Sequence, residues 1–131
     1  METILLVDDD LGFVFWLGRL LDGAGYAAFP AKNIEDGRAL VAQCRLPVDL
    51  LIINAAAIGL AAFVKELRIS RPALEVIVVD GRGFSDANIA QGIFSLPKPE
   101  RFDAGCREEL LEIVESVLGR SRHATPFGHL A

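Results

Sequence analysis

Short, mainly apolar runs alternate with longer amphipathic stretches along the chain. The apolar runs are typical of buried strands and predict five of them, at 3–8, 26–30, 49–54, 75–80 and 93–97. The amphipathic stretches repeat their apolar residues at helical spacing and predict helices at 11–24, 33–44, 59–69, 84–91 and 103–119. Strands that alternate with helices on short connections indicate an α/β fold, in which a parallel sheet is covered by helices on both faces.

Polar residues stand at the carboxyl ends of the predicted strands. Asp8 and Asp9 end the first strand, Asn54 the third and Asp80 the fourth, and Lys98 follows the fifth. In a parallel α/β sheet these ends meet at one edge, where ligands bind near the topological switch point. The pattern therefore predicts a single polar site at that edge.

Three consecutive carboxylates, Asp8, Asp9 and Asp10, follow the first apolar run. Adjacent carboxylates repel one another unless they are solvated or bridged by a cation, and oxygen ligands of this kind suit Mg²⁺. The alternative is an acidic turn in water, in which the Asp10 side chain caps the first helix. Spacing alone leaves both interpretations open.

Composition narrows the class of protein. The chain has 131 residues, of which 52% are hydrophobic, enough for one domain with a buried core. Its net charge of −5 argues against direct binding to nucleic acid or to an anionic membrane. We find no signal peptide and no apolar run near the roughly 20 residues that cross a bilayer. Cys44 and Cys106 are expected to be reduced thiols, so we expect a cytoplasmic protein.

The order of these motifs resembles the receiver domain of bacterial two-component response regulators, the CheY-like superfamily. The matching motifs are Val7-Asp8-Asp9 after the first strand, the apolar strand that ends at Asn54, and Leu96-Pro97-Lys98-Pro99. The resemblance covers about residues 2–119. It implies a flavodoxin-like, doubly wound (βα)5 three-layer sandwich, with a five-stranded parallel sheet of order 2-1-3-4-5. The Lys-Pro peptide of receivers is commonly cis.

The end of the chain departs from the repeating pattern. After Gly119 the residues show no periodicity and include Pro126 and Gly128. We therefore expect residues 1–119 to form the receiver-like domain and residues 120–131 to form a flexible tail or the stub of a linker.

Three positions of the expected phosphorylation site differ from the family pattern. Asn54 stands where receivers carry the aspartate that is phosphorylated, and a carboxamide cannot form an acyl phosphate. Asp80 stands where they carry a Thr or Ser that contacts the phosphoryl group, and an acid would repel that group. Ser95 stands where a switching aromatic residue is usual. The resemblance therefore implies an atypical receiver that lacks its phosphoacceptor.

Other positions match the family. Asp8 and Asp9 match the acids that help to hold Mg²⁺, and Lys98 matches the pocket lysine. Two arrangements of the charges are open. The acids Asp8, Asp9 and Asp80 can bind Mg²⁺ or Ca²⁺ with the Asn54 carbonyl. Alternatively Lys98 bridges these acids and no metal is required. Asp80 is one acid that can pair with Lys98 across the pocket.

The first predicted helix carries more apolar residues than its core-facing stripe needs. That stripe consists of Phe13, Trp16, Leu17, Leu20 and Ala24. Leu11, Val14 and Phe15 are predicted to project away from it, and contiguous exposed apolar groups mark an interface. We expect this face to bind a partner or a second copy of the chain, or Phe15 to pack onto the neighbouring helix.

These observations favour a two-component signalling module that acts by protein–protein interaction, without aspartyl phosphorylation and without enzymatic activity. Its partner would be a histidine kinase, an effector domain, another regulator or a second copy of the chain. One alternative is a working phosphorelay receiver that uses Asp8, Asp9 or Asp80 as acceptor. Others are a regulatory domain that binds a divalent cation constitutively, and a flavodoxin-like small-molecule binder. The last lacks a Gly-rich phosphate loop in this sequence.

Overall fold

The computed structural model describes residues 1–80, 92–99 and 103–123, the last four of these without their side chains. The chain divides into two compact units, Met1–Lys98 and Pro99–Ala131, and each is described by itself. The predicted helix at 84–91 lies outside the described residues. Whether residues 1–119 form one domain remains a prediction.

The first unit is built on a parallel sheet of five strands in its described part. The strands are β1 (Thr3–Val7), β2 (Ala27–Ala31), β3 (Val48–Asn54), β4 (Glu75–Val79) and β5 (Ile93–Leu96). Its described helices are α1 (Leu11–Gly23), α2 (Ile34–Cys44) and α3 (Leu60–Ser70). The spatial order is β2-β1-β3-β4-β5, so the predicted flavodoxin-like α/β fold class is confirmed. Each of these elements agrees with its predicted bounds to within one residue at each end.

The sheet is apolar on both faces because its strands are buried between layers of helices. Alternate strand residues on one face form a core with α2 and α3, which includes Leu5, Val7, Leu51, Ile53, Val76, Val78, Ile34, Phe63 and Val64. The other face carries the intervening residues Ile4, Leu6, Leu50, Ile52 and Ile77, all buried. Helix α1 lies on that side, with Gly18 next to the Leu6 side chain.

Two predictions for α1 are wrong. Ala24 was expected in the core-facing stripe, but α1 ends at Gly23 and Ala24 is exposed. Val14 was expected to face water, but it is only 2% exposed. The reason is that α1 also covers the edge strand β2, where Val14, Pro30 and Ala31 line one shallow groove. A second row of α1 side chains is therefore buried. Leu11 and Phe15 are 50% and 57% exposed, as predicted.

The second unit contains helix α4 (Ala104–His123), which continues four residues beyond its predicted end. Asp103 caps the N-terminus of this helix, because its Oδ1 accepts a hydrogen bond from the Cys106 backbone N–H at 2.9 Å. Its buried apolar residues recur at helical spacing, as predicted, and are Leu110, Val114, Val117 and Leu118. None of the helices in the described ranges is long and apolar enough to cross a membrane.

Candidate functional site

The carboxyl ends of β1 and β3 lie side by side, as the sequence predicts. Val7 and Ile53 are register partners in this parallel pair, so the residues that follow them, Asp8 and Asn54, emerge next to each other. The Asn54 side chain donates a hydrogen bond from Nδ2 to Oδ2 of Asp8 at 3.2 Å. Two of the predicted site residues are therefore in direct contact.

The Asp8 carboxylate is almost completely buried, at 4% exposure. Its Oδ1 accepts a hydrogen bond from the Asp10 backbone N–H at 3.0 Å. Its Oδ2 accepts the Asn54 bond and also lies 3.0 Å from Nζ of Lys98. Burying a carboxylate is costly unless it is paired and hydrogen-bonded. Here one ammonium group and two N–H donors of the protein itself offset the cost of burying the Asp8 carboxylate.

The Lys98 ammonium is shared between two carboxylates. Its Nζ lies 3.0 Å from Oδ2 of Asp8, 3.5 Å from Oδ2 of Asp10 and 5.0 Å from the centre of the Phe13 ring. Burial by itself lowers the pKa of Lys98, but the hydrogen bonds and charges of the two aspartates outweigh it and raise the pKa above its ordinary value of 10.5. Lys98 is therefore a fixed positive charge at neutral pH.

Asp10 has a second role that sequence reasoning missed. The predicted cap is confirmed, because the Phe13 backbone N–H donates to Oδ1 of Asp10 at 3.2 Å. Its other oxygen faces Lys98. The one signal in the sequence is the position of Asp10 between the strand end and α1. From there one short side chain reaches both the helix N-terminus and the pocket.

Asp80 does not pair with the Lys98 ammonium, so that expectation is wrong. Its Oδ1 instead accepts a hydrogen bond from the Lys98 backbone N–H at 3.0 Å, and its own N–H donates to the Leu96 carbonyl at 2.9 Å. Asp80 has a φ of +60°, in the left-handed region, in agreement with a turn at this position. The described residues contain no cis peptide bond, so the expected cis Lys98–Pro99 bond is also wrong.

The Asn54 amide is used at both ends. Its Nδ2 donates to Asp8, and its Oδ1 accepts a hydrogen bond from the Ala56 backbone N–H at 2.8 Å. The side chain thus closes a turn after β3, a common role of asparagine. Its carbonyl oxygen, which was a candidate cation ligand, faces the following loop.

The cation implied by the family resemblance does not fit this arrangement. Both oxygens of Asp8 are engaged by N–H groups or by the Lys98 ammonium, and Asp9 is exposed. Within the described ranges, no group of three or more His, Cys, Asp or Glu side chains is placed to hold a metal ion. We therefore assign no chemistry to a bound cation here.

A cleft of about 680 Å³ opens beside the site, between the loops that follow β1, β2 and β3. Its lining includes Asp9, Lys32, Glu35, Asn54 and the exposed Ile58. The charged groups at its rim are of both signs, so the cleft offers no clear preference for an anion such as a phosphoryl group.

The remaining residues singled out in the sequence lie in β5 and α1. Ser95 lies in β5 and is exposed, while its neighbour Phe94 is half-buried. Leu11 and Phe15 are exposed on α1, and their role as an interface remains a prediction.

The fold and the site together define a flavodoxin-like α/β protein with a charged strand-end pocket. No protein-family model and no curated protein matches the chain. Among solved structures, a CheY-like response regulator receiver domain protein from Methanospirillum hungatei JF-1 is 20% identical, with a TM-score of 0.73 over 95% of this chain and 99% of that one. The chain therefore has the CheY-like receiver fold.

Two further structures have the same fold in different settings. NtrX from Brucella abortus is 20% identical with a TM-score of 0.75, and the match covers 100% of this chain but 30% of NtrX. The beryllofluoride-activated NtrC4 receiver domain dimer is 22% identical with a TM-score of 0.71, over 92% of this chain and 99% of that one.

Proposed function

We propose that this chain is a receiver-like module of two-component signalling that works without aspartyl phosphorylation. One observation carries the proposal: the charge of the buried Asp8 carboxylate is balanced by Lys98 and by the Asn54 amide. The Asp8 charge is thus balanced by groups of the protein itself.

The acceptor position lacks the necessary chemistry. Phosphoryl transfer to a side chain requires a nucleophile, and the carboxamide of Asn54 is uncharged with a non-nucleophilic nitrogen. Its two polar atoms are also engaged, with Asp8 and with the Ala56 N–H. Asn54 therefore supports a fixed hydrogen-bond arrangement rather than a covalent intermediate.

The surroundings oppose a phosphoryl group as well. Such a group brings close to two negative charges. Lys98, the pocket cation, already contacts Asp8 and Asp10, and Asp80 adds a further carboxylate at the end of the neighbouring strand β4. An incoming phosphoryl group would have to compete for Lys98 with two carboxylates of the protein itself.

The output we propose is protein binding through the exposed part of α1. Leu11 and Phe15 are large apolar side chains that are half or more exposed, and such groups favour contact with a partner. The partner would be a histidine kinase, an effector domain, another regulator or a second copy of the chain. The size of NtrX and the NtrC4 receiver dimer support arrangements of this kind. We place the protein in the cytoplasm and assign it no reaction.

A working phosphorelay through another carboxylate is the competing function, and Asp9 is the residue that favours it. It is exposed beside the cleft, whereas Asp8 is buried in an ion pair and Asp80 accepts the Lys98 N–H. A phosphorylated Asp9 would be detected as an increase in mass with acetyl phosphate that Asp9→Asn abolishes.

The test is an amide NMR titration with Mg²⁺ and then with beryllium fluoride, which mimics a phosphoryl group. We expect no specific response from the wild-type chain. The matched variant Asn54→Asp restores a carboxylate at the acceptor position and is expected to respond. Wild-type shifts that spread from Asp8, Asp9 and Lys98 into β5 would mean that the phosphorylation switch works, and the proposal would be wrong.

A further inference from the structure

The hydrogen bonds between β4 and β5 continue past the ends of the strands, with one change of partner. Val79 and Leu96 are register partners, and the Asp80 N–H donates to the Leu96 carbonyl at 2.9 Å. In a regular parallel ladder the next bond would join the Lys98 N–H to the backbone carbonyl of Asp80. Here Lys98 N–H instead donates to Oδ1 of the Asp80 side chain at 3.0 Å. A carboxylate has replaced a backbone carbonyl in the ladder.

The partner of the Asp80 side chain makes this exchange informative. Asp80 has a φ of +60°, in the left-handed region that glycine adopts freely and that aspartate and asparagine tolerate better than other side chains. The conformation alone is therefore explained by the turn. The carboxylate, however, bonds to a residue 18 positions away, and this contact points to a role of the side chain.

Lys98 is consequently held at both of its ends. Its backbone is tied to the end of β4 through Asp80, and its ammonium contacts Asp8 and Asp10 at the end of β1. Because β3 lies between β1 and β4, this one residue connects strand ends on both sides of Asn54.

We propose that Asp80 is a conformational clamp, a positioning residue whose carboxylate fixes the Lys98 backbone so that the lysine stays on Asp8 and Asp10. The clamp holds the end of β5 in one position without any external ligand. The idea that this clamp is always closed rests on the proposed phosphorylation-independent function. The positioning of Lys98 by Asp80 does not depend on that function.

Two variants separate the side chain from the turn. Asp80→Gly keeps and even favours the left-handed conformation but removes the acceptor. Asp80→Asn removes the charge but keeps an oxygen in the same place, and asparagine tolerates this conformation. The first readout is hydrogen exchange of the Lys98 amide by NMR. We expect exchange at least about tenfold faster in Asp80→Gly, as for the loss of a charge-assisted hydrogen bond, and within about threefold of wild type in Asp80→Asn.

The second readout is the titration of Lys98 followed at its ¹³Cε. Asp80→Gly is expected to lower the pKa of Lys98 relative to Asp80→Asn. Both variants lose the Asp80 charge, but only in the glycine variant is the ammonium held less firmly against Asp8 and Asp10. Unchanged amide exchange in Asp80→Gly would show that Asp80 serves only the turn. Faster exchange in Asp80→Gly with the same Lys98 pKa in Asp80→Gly and Asp80→Asn would overturn the positioning role. Neither measurement uses a cation or a phosphoryl mimic, so failure here is distinguishable from failure of the proposed function.

Discussion

Replacing Asn54 by aspartate tests how the pocket balances its charge. In the wild-type chain, Nδ2 of Asn54 donates to Oδ2 of Asp8 over 3.2 Å. Asn54→Asp is nearly isosteric, but it puts a negatively charged oxygen in place of that donor. An attractive contact with a buried carboxylate becomes a repulsive one, while Lys98 remains the only ammonium group at Asp8 among the described residues.

The size of the effect can be bounded in two ways. At 3.2 Å and an effective dielectric constant of about 20, two unit charges repel by about 5 kcal/mol. Protonation sets a lower ceiling, because keeping a carboxyl group with an ordinary pKa near 3.9 neutral at pH 7 costs about 4 kcal/mol. Asn54 is only half-buried, so water screens part of the repulsion. We therefore expect Asn54→Asp to lower the free energy of unfolding by about 2–4 kcal/mol without a cation.

The assay is urea unfolding in EDTA and in Mg²⁺. A cation that binds only the folded Asn54→Asp variant recovers about 2.7 kcal/mol at a concentration of 100 times its Kd. The matched control is Asn54→Ala, which loses two hydrogen bonds without adding charge. We expect it to lose about 1–2 kcal/mol in both conditions.

Two results would refute this reasoning. If Asn54→Asp has the same free energy of unfolding as wild type in EDTA, the Asn54–Asp8 contact does not contribute to stability as proposed. If Mg²⁺ stabilises wild type as much as Asn54→Asp, the wild-type pocket binds the cation despite its internal pairing.

Four further predictions concern Lys98, the two cysteines and helix α1. Lys98→Ala is expected to lower the free energy of unfolding by about 3 kcal/mol and to make it depend on Mg²⁺, since the substitution leaves a buried carboxylate unpaired. An unchanged Mg²⁺ dependence would count against Lys98 as the internal counter-ion. Burial lowers the pKa of Lys98, but its two carboxylate neighbours raise that pKa more. The contribution of Lys98 to the free energy of unfolding is therefore present below about pH 10.5 and is lost as pH rises through the raised pKa. Urea unfolding of wild type and Lys98→Met between pH 9 and pH 12 measures this loss. Burial and two nearby carboxylates raise the pKa of the Cys106 thiol, so a thiol reagent should modify the exposed Cys44 first, and equal rates would contradict this. Phe15→Glu should change the free energy of unfolding by less than about 0.5 kcal/mol and abolish partner binding, whereas Val14→Glu should unfold the protein. If the chain is a monomer and Phe15→Glu still binds every partner, the proposed interface is wrong.

The sequence was sufficient for the main elements of the fold. Short, continuous apolar runs such as Leu50–Ile53 are typical of strands buried on both faces, and here they alternate with longer stretches of helical periodicity. The convergence of Asp8, Asn54 and Lys98 was also predictable, because the strands of a parallel sheet end at the same edge. The helix expected at 84–91 lies outside the described residues, and the bounds of the domain remain a prediction.

The tertiary structure decided which groups in the pocket touch. The sequence left open which of the acids the Lys98 ammonium contacts, and the structure places it on Asp8 and Asp10 rather than on Asp80. The choice depends on where the β4–β5 register places the Lys98 backbone, and no local pattern encodes that register. Val14 is a second case, because its burial depends on how far α1 extends over β2. Periodicity gives the direction of a side chain from its own helix, and packing between elements determines what that side chain meets.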